Sequence, residues 1–322
     1  MTPLTRRQFI QNSAMVAAAG PIFDSAAASK SLPIGFSTLG CPGWEWAKIL
    51  TFAQQHGFGA IELRGLQGSM DLPARPEFGP GRVAESKKEV AAHGLHISCV
   101  SSSANMHDTD PKKHKEQLAD ARRFIDLAHA LGVPYVRVFG NKIVGPRDET
   151  LQKVAKSLRE LGDYAGPKHV TVLIESHGDF TDSPTLRTIL EQANSKHVGL
   201  LWDAHHTYVD GKEDPSFTVG QLGKYIHHTH LKDSRKEGND VHYVLTGRGQ
   251  VPVKQQVQAL VKIGYKGYYS FEWEKVWHPD IEEPEIAFPD FARVVTQYLR
   301  DAGSKQGMHS AAPNHHSTMR GA

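Results

Sequence analysis

The stretch IHHTHLKD, residues 226–233, sets three histidines, a lysine and an aspartate at the end of an apolar run. As a β-strand it alternates its side chains, so His228, His230 and Lys232 share one face, and His227, Thr229 and Leu231 the other. Neutral imidazole is the commonest protein metal ligand. Taken alone, the stretch fits a core strand of hydrogen-bonded rings equally well. Three other apolar runs end in a carboxylate that faces the same way: Glu175 in VTVLIE, Asp203 in VGLLWD and Glu272 in YYSFEWE. Each is one strand–helix repeat from the next, and neighbouring strands lie ~4.8 Å apart. Glu175, Asp203, His230 and Glu272 can therefore converge on one ion. Three carboxylates and one imidazole form a hard, oxygen-rich donor set, which suits Mn²⁺, Mg²⁺ or Co²⁺ rather than a closed structural Zn²⁺ site. Singly, each carboxylate could cap a helix or pair with a surface lysine. Buried together, they would be very costly unless a cation were shared among them.

Further polar residues fall at the same strand ends and are expected to contact substrate: His177, His206, Arg137, Lys232 and Arg235, with Arg64, Asn141 and Lys236 beside them. Trp44, Trp46, Trp273 and Trp277 offer flat apolar faces for sugar rings or for the core. Glu274 shares a face with Glu272 and is expected to support it rather than bind metal.

The elements that would hold these residues alternate regularly from Leu32 onward. Apolar runs at 33–37, 59–63, 96–100, 135–139, 170–175, 198–203, 225–231 and 268–274 read as strands. Amphipathic segments near 45–56, 82–93, 112–131, 149–165, 183–195, 216–223, 254–263 and 287–302 read as helices. Glycines in HGFG, HGLH, LGVP and IGYKG are placed to stop helices in the left-handed conformation. Asp182-Ser183-Pro184 supplies a cap and an N1 proline. Eight alternating units imply an α/β fold with parallel strands, and eight strands close a (β/α)8 TIM barrel. No GxGxxG follows the first strand to favour an open doubly wound sheet.

The barrel domain is assigned to 32–303, with 304–322 a disordered tail that lacks apolar periodicity. At the other end, TRRQFI pairs Arg6 with Arg7, an alanine-rich apolar stretch follows, and small residues stand at 26–28. That order is an export signal over 1–28, and the double arginine points to the twin-arginine (Tat) route and machinery, and so to a periplasmic or otherwise exported protein. No stretch is long enough to span a membrane, so no stable membrane association is expected. Lys and Arg total 37 against 35 acidic residues, a net charge of +2, which gives no electrostatic case for nucleic acid. Cys41 and Cys99 lack zinc or CxxC spacing and read as small buried apolar residues.

With IESH (Glu175, His177), DAHH (Asp203, His206), HTHLKD (His228, His230, Asp233), the GRG at 247–249 and GYKGYYSFEWE ending around Glu272, the chain resembles the xylose isomerase-like barrels of the sugar phosphate isomerase/epimerase family, within the AP endonuclease 2 superfamily. The resemblance runs over about Leu32 to Ala302. It implies the same metal ligands, Glu175, Asp203, His230 and Glu272, and a role for Glu175 and Glu272 as paired bases on opposite faces of a substrate. Removing a proton next to a carbonyl gives an enediolate, which a cation stabilises. The chain departs from the ketose 3-epimerases at Thr181, where they carry a further acidic substrate contact.

These residues point to a metal-dependent isomerase or epimerase of a free sugar, keto-sugar or polyol. A keto-sugar or keto-glycoside lyase or dehydratase on the same site is the alternative. An endonuclease IV-like repair enzyme is more distant: Asp240 and His242 resemble its extra metal pair, but Ser101 to Ser103 and Asn141 stand where its further histidines would be. A non-catalytic sugar-binding barrel would need no paired bases. A homo-oligomer is left open.

Overall fold

The computed structural model describes residues 32–238 and 240–310. The export signal expected at 1–28 lies outside them. Eight strands close a barrel: β1 (Leu32–Ser37), β2 (Phe58–Leu63), β3 (His96–Asn105), β4 (Tyr135–Asn141), β5 (Thr171–Gly178), β6 (Val198–Asp203), β7 (Ile226–Leu231) and, last in the chain, β10 (Tyr269–Phe271). All neighbouring pairs are parallel, and β10 closes the ring between β7 and β1. The helices are α1 (Trp46–Gln55), α2 (Val83–Ala92), α3 (Pro111–Leu131), α4 (Arg147–Ala165), α5 (Ser183–Ala193), α6 (Ala204–Val209), α7 (Pro215–Leu222), α8 (Val253–Lys262) and α9 (Pro284–Ser310). The fold is the (β/α)8 barrel expected from the alternation. None of the described helices is long and apolar enough to cross a membrane.

Local chemistry explains where these elements start and stop. The Asp182 side chain accepts the Thr185 N–H at the start of α5, as its sequence predicts. Asp110 does the same for Lys112 and Lys113 at the start of α3. The four predicted helix-stopping glycines, Gly57, Gly94, Gly132 and Gly264, all have φ between 69° and 74°. Outward-facing strand residues such as Ile61, Val138, Ile174 and Trp202 pack under the helices in one apolar cluster. Trp44, Trp46 and Trp273 are buried in that cluster too, so their role is core packing and not sugar stacking. Both cysteines are buried and free, and burial pushes their thiols up.

Three features depart from the sequence reading. The last strand is short, so Glu272 stands just beyond β10 rather than within it. An antiparallel hairpin, β8 (Asp233–Glu237) with β9 (Asp240–Val244), follows β7 directly. Asp233 anchors the loop after the hairpin by accepting the backbone N–H groups of Gly247 (2.8 Å), Gly249 (2.9 Å) and Val251 (3.1 Å). A Cβ on Gly249 would lie 2.2 Å from the Asp233 carboxylate, which is why the GRG turn needs glycine there. Finally, α9 continues to Ser310, beyond the boundary placed at 303. Extending a formed helix needs one new hydrogen bond per residue and no apolar face. Residues 311–322 lie outside the described residues.

Candidate metal centre

Glu175 lies within β5, three residues before its end, Asp203 ends β6, His230 lies near the end of β7 and Glu272 follows β10. These strands are consecutive around the ring, and pairing sets Asp203 opposite His230 and His230 opposite Ser270, two residues before Glu272. One donor atom from each of the four residues lies within 4.8 Å of the others, and all four residues are buried. His230 Nδ1 is 3.2 Å from Glu272 Oε1, 3.6 Å from Glu175 Oε1 and 3.8 Å from Asp203 Oδ2. His230 Nδ1, Glu175 Oε2 and Asp203 Oδ2 are buried without a hydrogen-bond partner. Buried polar atoms are rarely left so, and a divalent cation among them would satisfy all three. The donor set fits such an ion.

Positive side chains hold the carboxylates together. Lys232 Nζ lies 2.7 Å from Asp203 Oδ2 and 2.6 Å from Glu274 Oε1, and also bonds Glu272 Oε2. Two of the ammonium's N–H donors go to Glu272 and Glu274, and Asp203 neutralises the same charge as an ion pair without a hydrogen bond. Lys232, read from the sequence as a substrate contact, is therefore spent on its own site. Arg137 is likewise internal. Its Nε is 2.9 Å from Glu175 Oε2, at an angle too poor for a hydrogen bond, while Nη1 donates to the Ser102 carbonyl and the guanidinium covers the Phe139 ring.

Charge states follow from these neighbours. Burial favours the neutral acid at Glu175, Asp203 and Glu272, but Arg137 and His230 together outweigh it at Glu175, Lys232, His206 and His230 at Asp203, and His230 and Lys232 at Glu272. All three stay below the usual carboxylate range. At Glu274 burial wins over Lys232, and its pKa rises. Burial opposes a proton on His230, yet Glu272 and Glu62 outweigh it and hold the imidazole well above its ordinary value.

Glu62, at the end of β2, is the residue the sequence reading missed. Its Oε2 accepts from Nε2 of both His228 and His230 at 2.8 Å, and Oε1 accepts from Ser101 Oγ at 2.7 Å. It is fully buried. By taking Nε2 it turns Nδ1 of His230 toward the three carboxylates, the outer-layer arrangement that fixes a metal-ligating histidine. The signal was present: Glu62 alternates inward on its strand, and His228 faces it from β7. His227, expected to face outward, is carried inward by a register shift between β6 and β7. It sits beside Gly199, where any Cβ would collide with its ring.

The other predicted contacts divide. His177 and His206 stand side by side, ring centroids 4.9 Å apart, at the mouth beyond β5 and β6. His177 Nδ1 pairs with Asn141 Oδ1 at 3.0 Å, and His206 Nδ1 with Asp210 at 2.9 Å. Asp203 Oδ1 also accepts the backbone N–H groups of His205 and His206, capping α6, while Oδ2 stays with the buried group. Arg235 is a correction: it is exposed on β8 and pairs with Glu237, two residues along the same edge, with no bond to the four. Asp240 and His242 lie on β9 and belong to none of the groups of metal-competent side chains among the described residues. A cavity of about 560 Å³ bounded by His96, Tyr135, His227 and Lys266 lies at the opposite end of the barrel and has no carboxylate in its lining.

Comparison with known proteins agrees with this architecture. Residues 50–291 match the family model described as "Xylose isomerase-like TIM barrel". No curated protein sequence matches the chain. Among solved structures, an L-ribulose 3-epimerase is 18% identical with a TM-score of 0.72, covering 88% of this chain and 98% of its own. A structure titled as the IOLI protein with a binding zinc atom is 20% identical, TM-score 0.69, covering 85% and 99%. The probable 3-DHS dehydratase AsbF from Bacillus anthracis is 17% identical, TM-score 0.68, covering 82% and 99%. At these identities the likeness is one of fold.

Proposed function

Because the chain belongs to the xylose isomerase-like TIM barrel family, we propose that it is a divalent-metal-dependent isomerase or epimerase of a free sugar, keto-sugar or polyol. The observation that carries this reading is the buried set Glu175, Asp203, His230 and Glu272, with donor atoms within 4.8 Å of one another and with His230 Nδ1, Glu175 Oε2 and Asp203 Oδ2 lacking hydrogen-bond partners. Those four residues would hold Mn²⁺, Mg²⁺ or Co²⁺. A cation bound there supplies positive charge beside a substrate oxygen on which negative charge develops.

The protein's own groups then divide the work. Glu175 and Glu272 are ionised, the form that accepts a proton, and either can take one from the carbon next to a carbonyl while the other returns it. Arg137 and Lys232 hold the two carboxylates in place. His177 and His206 are left at the mouth to bond substrate hydroxyls. The leader-like order of 1–28 supports export, and with it an unphosphorylated sugar, which cell fractionation checks. The reading is tested by solvent-deuterium incorporation, followed by NMR, across a panel of keto-sugars with Mn²⁺. Deuterium should appear next to the carbonyl; a panel that shows none in the presence of bound Mn²⁺ removes the reading.

The same proton removal could begin an elimination instead. The fold shared with a structure titled as a dehydratase favours keeping that second reading. Product mass decides: isomerisation preserves it and dehydration loses water.

Metal loading should also release protons. The carboxylates around His230 keep it protonated, whereas a ligand imidazole must be neutral. Falling pH therefore weakens metal binding and rising pH strengthens it. Calorimetry with Mn²⁺ in buffers of differing ionisation heat at neutral pH should show about one proton released per ion. A heat independent of buffer would remove His230 from the ligand set.

A further inference from the structure

Among the described residues four lysine or arginine side chains are buried, and Lys275 is spent on the Pro279 and Ile281 carbonyls and Glu283; of the other three, two are accounted for at the site. Arg137 is paired with Glu175, and Lys232 with Asp203, Glu272 and Glu274. The third, Arg64, follows β2 two residues beyond Glu62 and so points to the same, inner side one layer nearer the mouth. Only 7% of it is exposed. Among the described residues no carboxylate lies within 4.0 Å of its guanidinium, and the side-chain bond found for it runs from Nη1 to Met70 Sδ at 3.3 Å. A thioether is a weak acceptor, so most of the guanidinium's donor capacity remains unmatched.

Its backbone is held firmly. Arg64 N–H donates to Thr38 Oγ1 at 2.8 Å, and the same hydroxyl donates to the Gly65 carbonyl at 2.6 Å. Burial pushes its pKa down to about 10, with Glu175, Glu272 and Glu62 pulling the other way, so Arg64 stays cationic at neutral pH and feels the acidic site without touching it. β2 lies across the ring from β5, β6 and β7. A molecule whose carbonyl end sits at the carboxylates can thus extend toward Arg64 with its other end.

We infer that Arg64 binds an anionic group, carboxylate or phosphate, at the end of the substrate remote from its carbonyl. A planar guanidinium with free N–H groups matches either anion through two parallel bonds. This rests on the isomerase reading only for which end of the substrate meets the carboxylates. An unphosphorylated substrate, as the leader-like order of 1–28 favours, would then be a sugar acid, and a preference for phosphate would count against export.

Three ligands with one carbon skeleton test it: D-fructose, D-fructuronate, which replaces the C6 alcohol with a carboxylate, and D-fructose 6-phosphate. Affinities are measured by calorimetry on the full chain with Mn²⁺. At least one anionic ligand should bind about tenfold or more tighter than fructose, the scale of a charge-assisted bond. The arm that gains identifies carboxylate or phosphate as the anion. In Arg64→Met the ratio of anionic to neutral affinity should collapse to within about twofold, and in Arg64→Lys, which keeps the charge and guards against misfolding of the first variant, it should fall only partly. Equal affinities in the wild-type protein, or a preference that survives in Arg64→Met, would overturn the inference. Deuterium exchange on the same ligands is scored separately: exchange without any preference for the anion removes Arg64's role alone, and an Arg64-dependent preference without exchange removes the isomerase reading alone.

Discussion

Glu272→Gln should lower the rate of substrate proton exchange by about 10²–10⁴-fold, the usual contribution of a positioned general base. The fold should survive it, because Lys232 keeps Asp203 and Glu274 as partners when Glu272 is neutralised. Glu175→Gln should lose exchange to a similar extent and be the less stable of the two. Among the described residues Glu175 is the carboxylate paired with buried Arg137, and removing one member of a buried ion pair costs about 3–5 kcal/mol. Exchange rates followed by NMR and thermal midpoints of the two variants separate these effects. Wild-type exchange in Glu272→Gln with Mn²⁺ bound would end the paired-base mechanism. Equal stability of the two variants would show that Arg137 finds another acceptor.

The convergence of Glu175, Asp203, His230 and Glu272 was legible in the sequence, because each stands at the end of an apolar run and parallel strands bring run ends together. Alternation along a strand is enough to select Glu175 over Ser176 and His230 over Thr229. What alternation does not encode is how many donors a cation has left after its neighbours are served. Lys232 and Arg137 were placed at the site correctly and given to the substrate, whereas burial gives them to carboxylates. Arg235 was misplaced for a different reason. The reading carried the chain past Lys232 along the mouth, but Asp233 turns it into a hairpin whose charged edge faces solvent. His227 failed through a bulge, where one irregular residue in the pairing of β6 with β7 reverses the side to which a ring points. These misses share a cause: they depend on pairing register and hydrogen-bond competition, which are properties of two segments and not of one.

Glu62→Leu should be the most damaging substitution outside the ligand set. The leucine fills similar volume, but it leaves Nε2 of His228, Nε2 of His230 and the Ser101 hydroxyl without their acceptor in a fully buried setting. A lost partner in a buried charged network costs about 3–5 kcal/mol, a large part of the stability of an ordinary domain. Metal affinity should fall as well, by about 10–100-fold, since the other nitrogen of the ligating His230 loses the group that fixes it. Glu62→Gln should fall between, because its amide oxygen can still accept from an imidazole while its NH₂ cannot. The pH dependence carries its own sign. Burial opposes charge on Glu62, but His230 and His228 outweigh it and hold its pKa well below the ordinary value. Its contribution is therefore complete above the unfolded-state pKa and disappears as pH falls through the folded one. Denaturation of wild type and Glu62→Leu should show the full gap at neutral pH and a narrowing gap in acid. A gap of constant size would mean that the carboxylate acts by shape alone, and an unchanged Mn²⁺ affinity would mean that His230 is positioned without it.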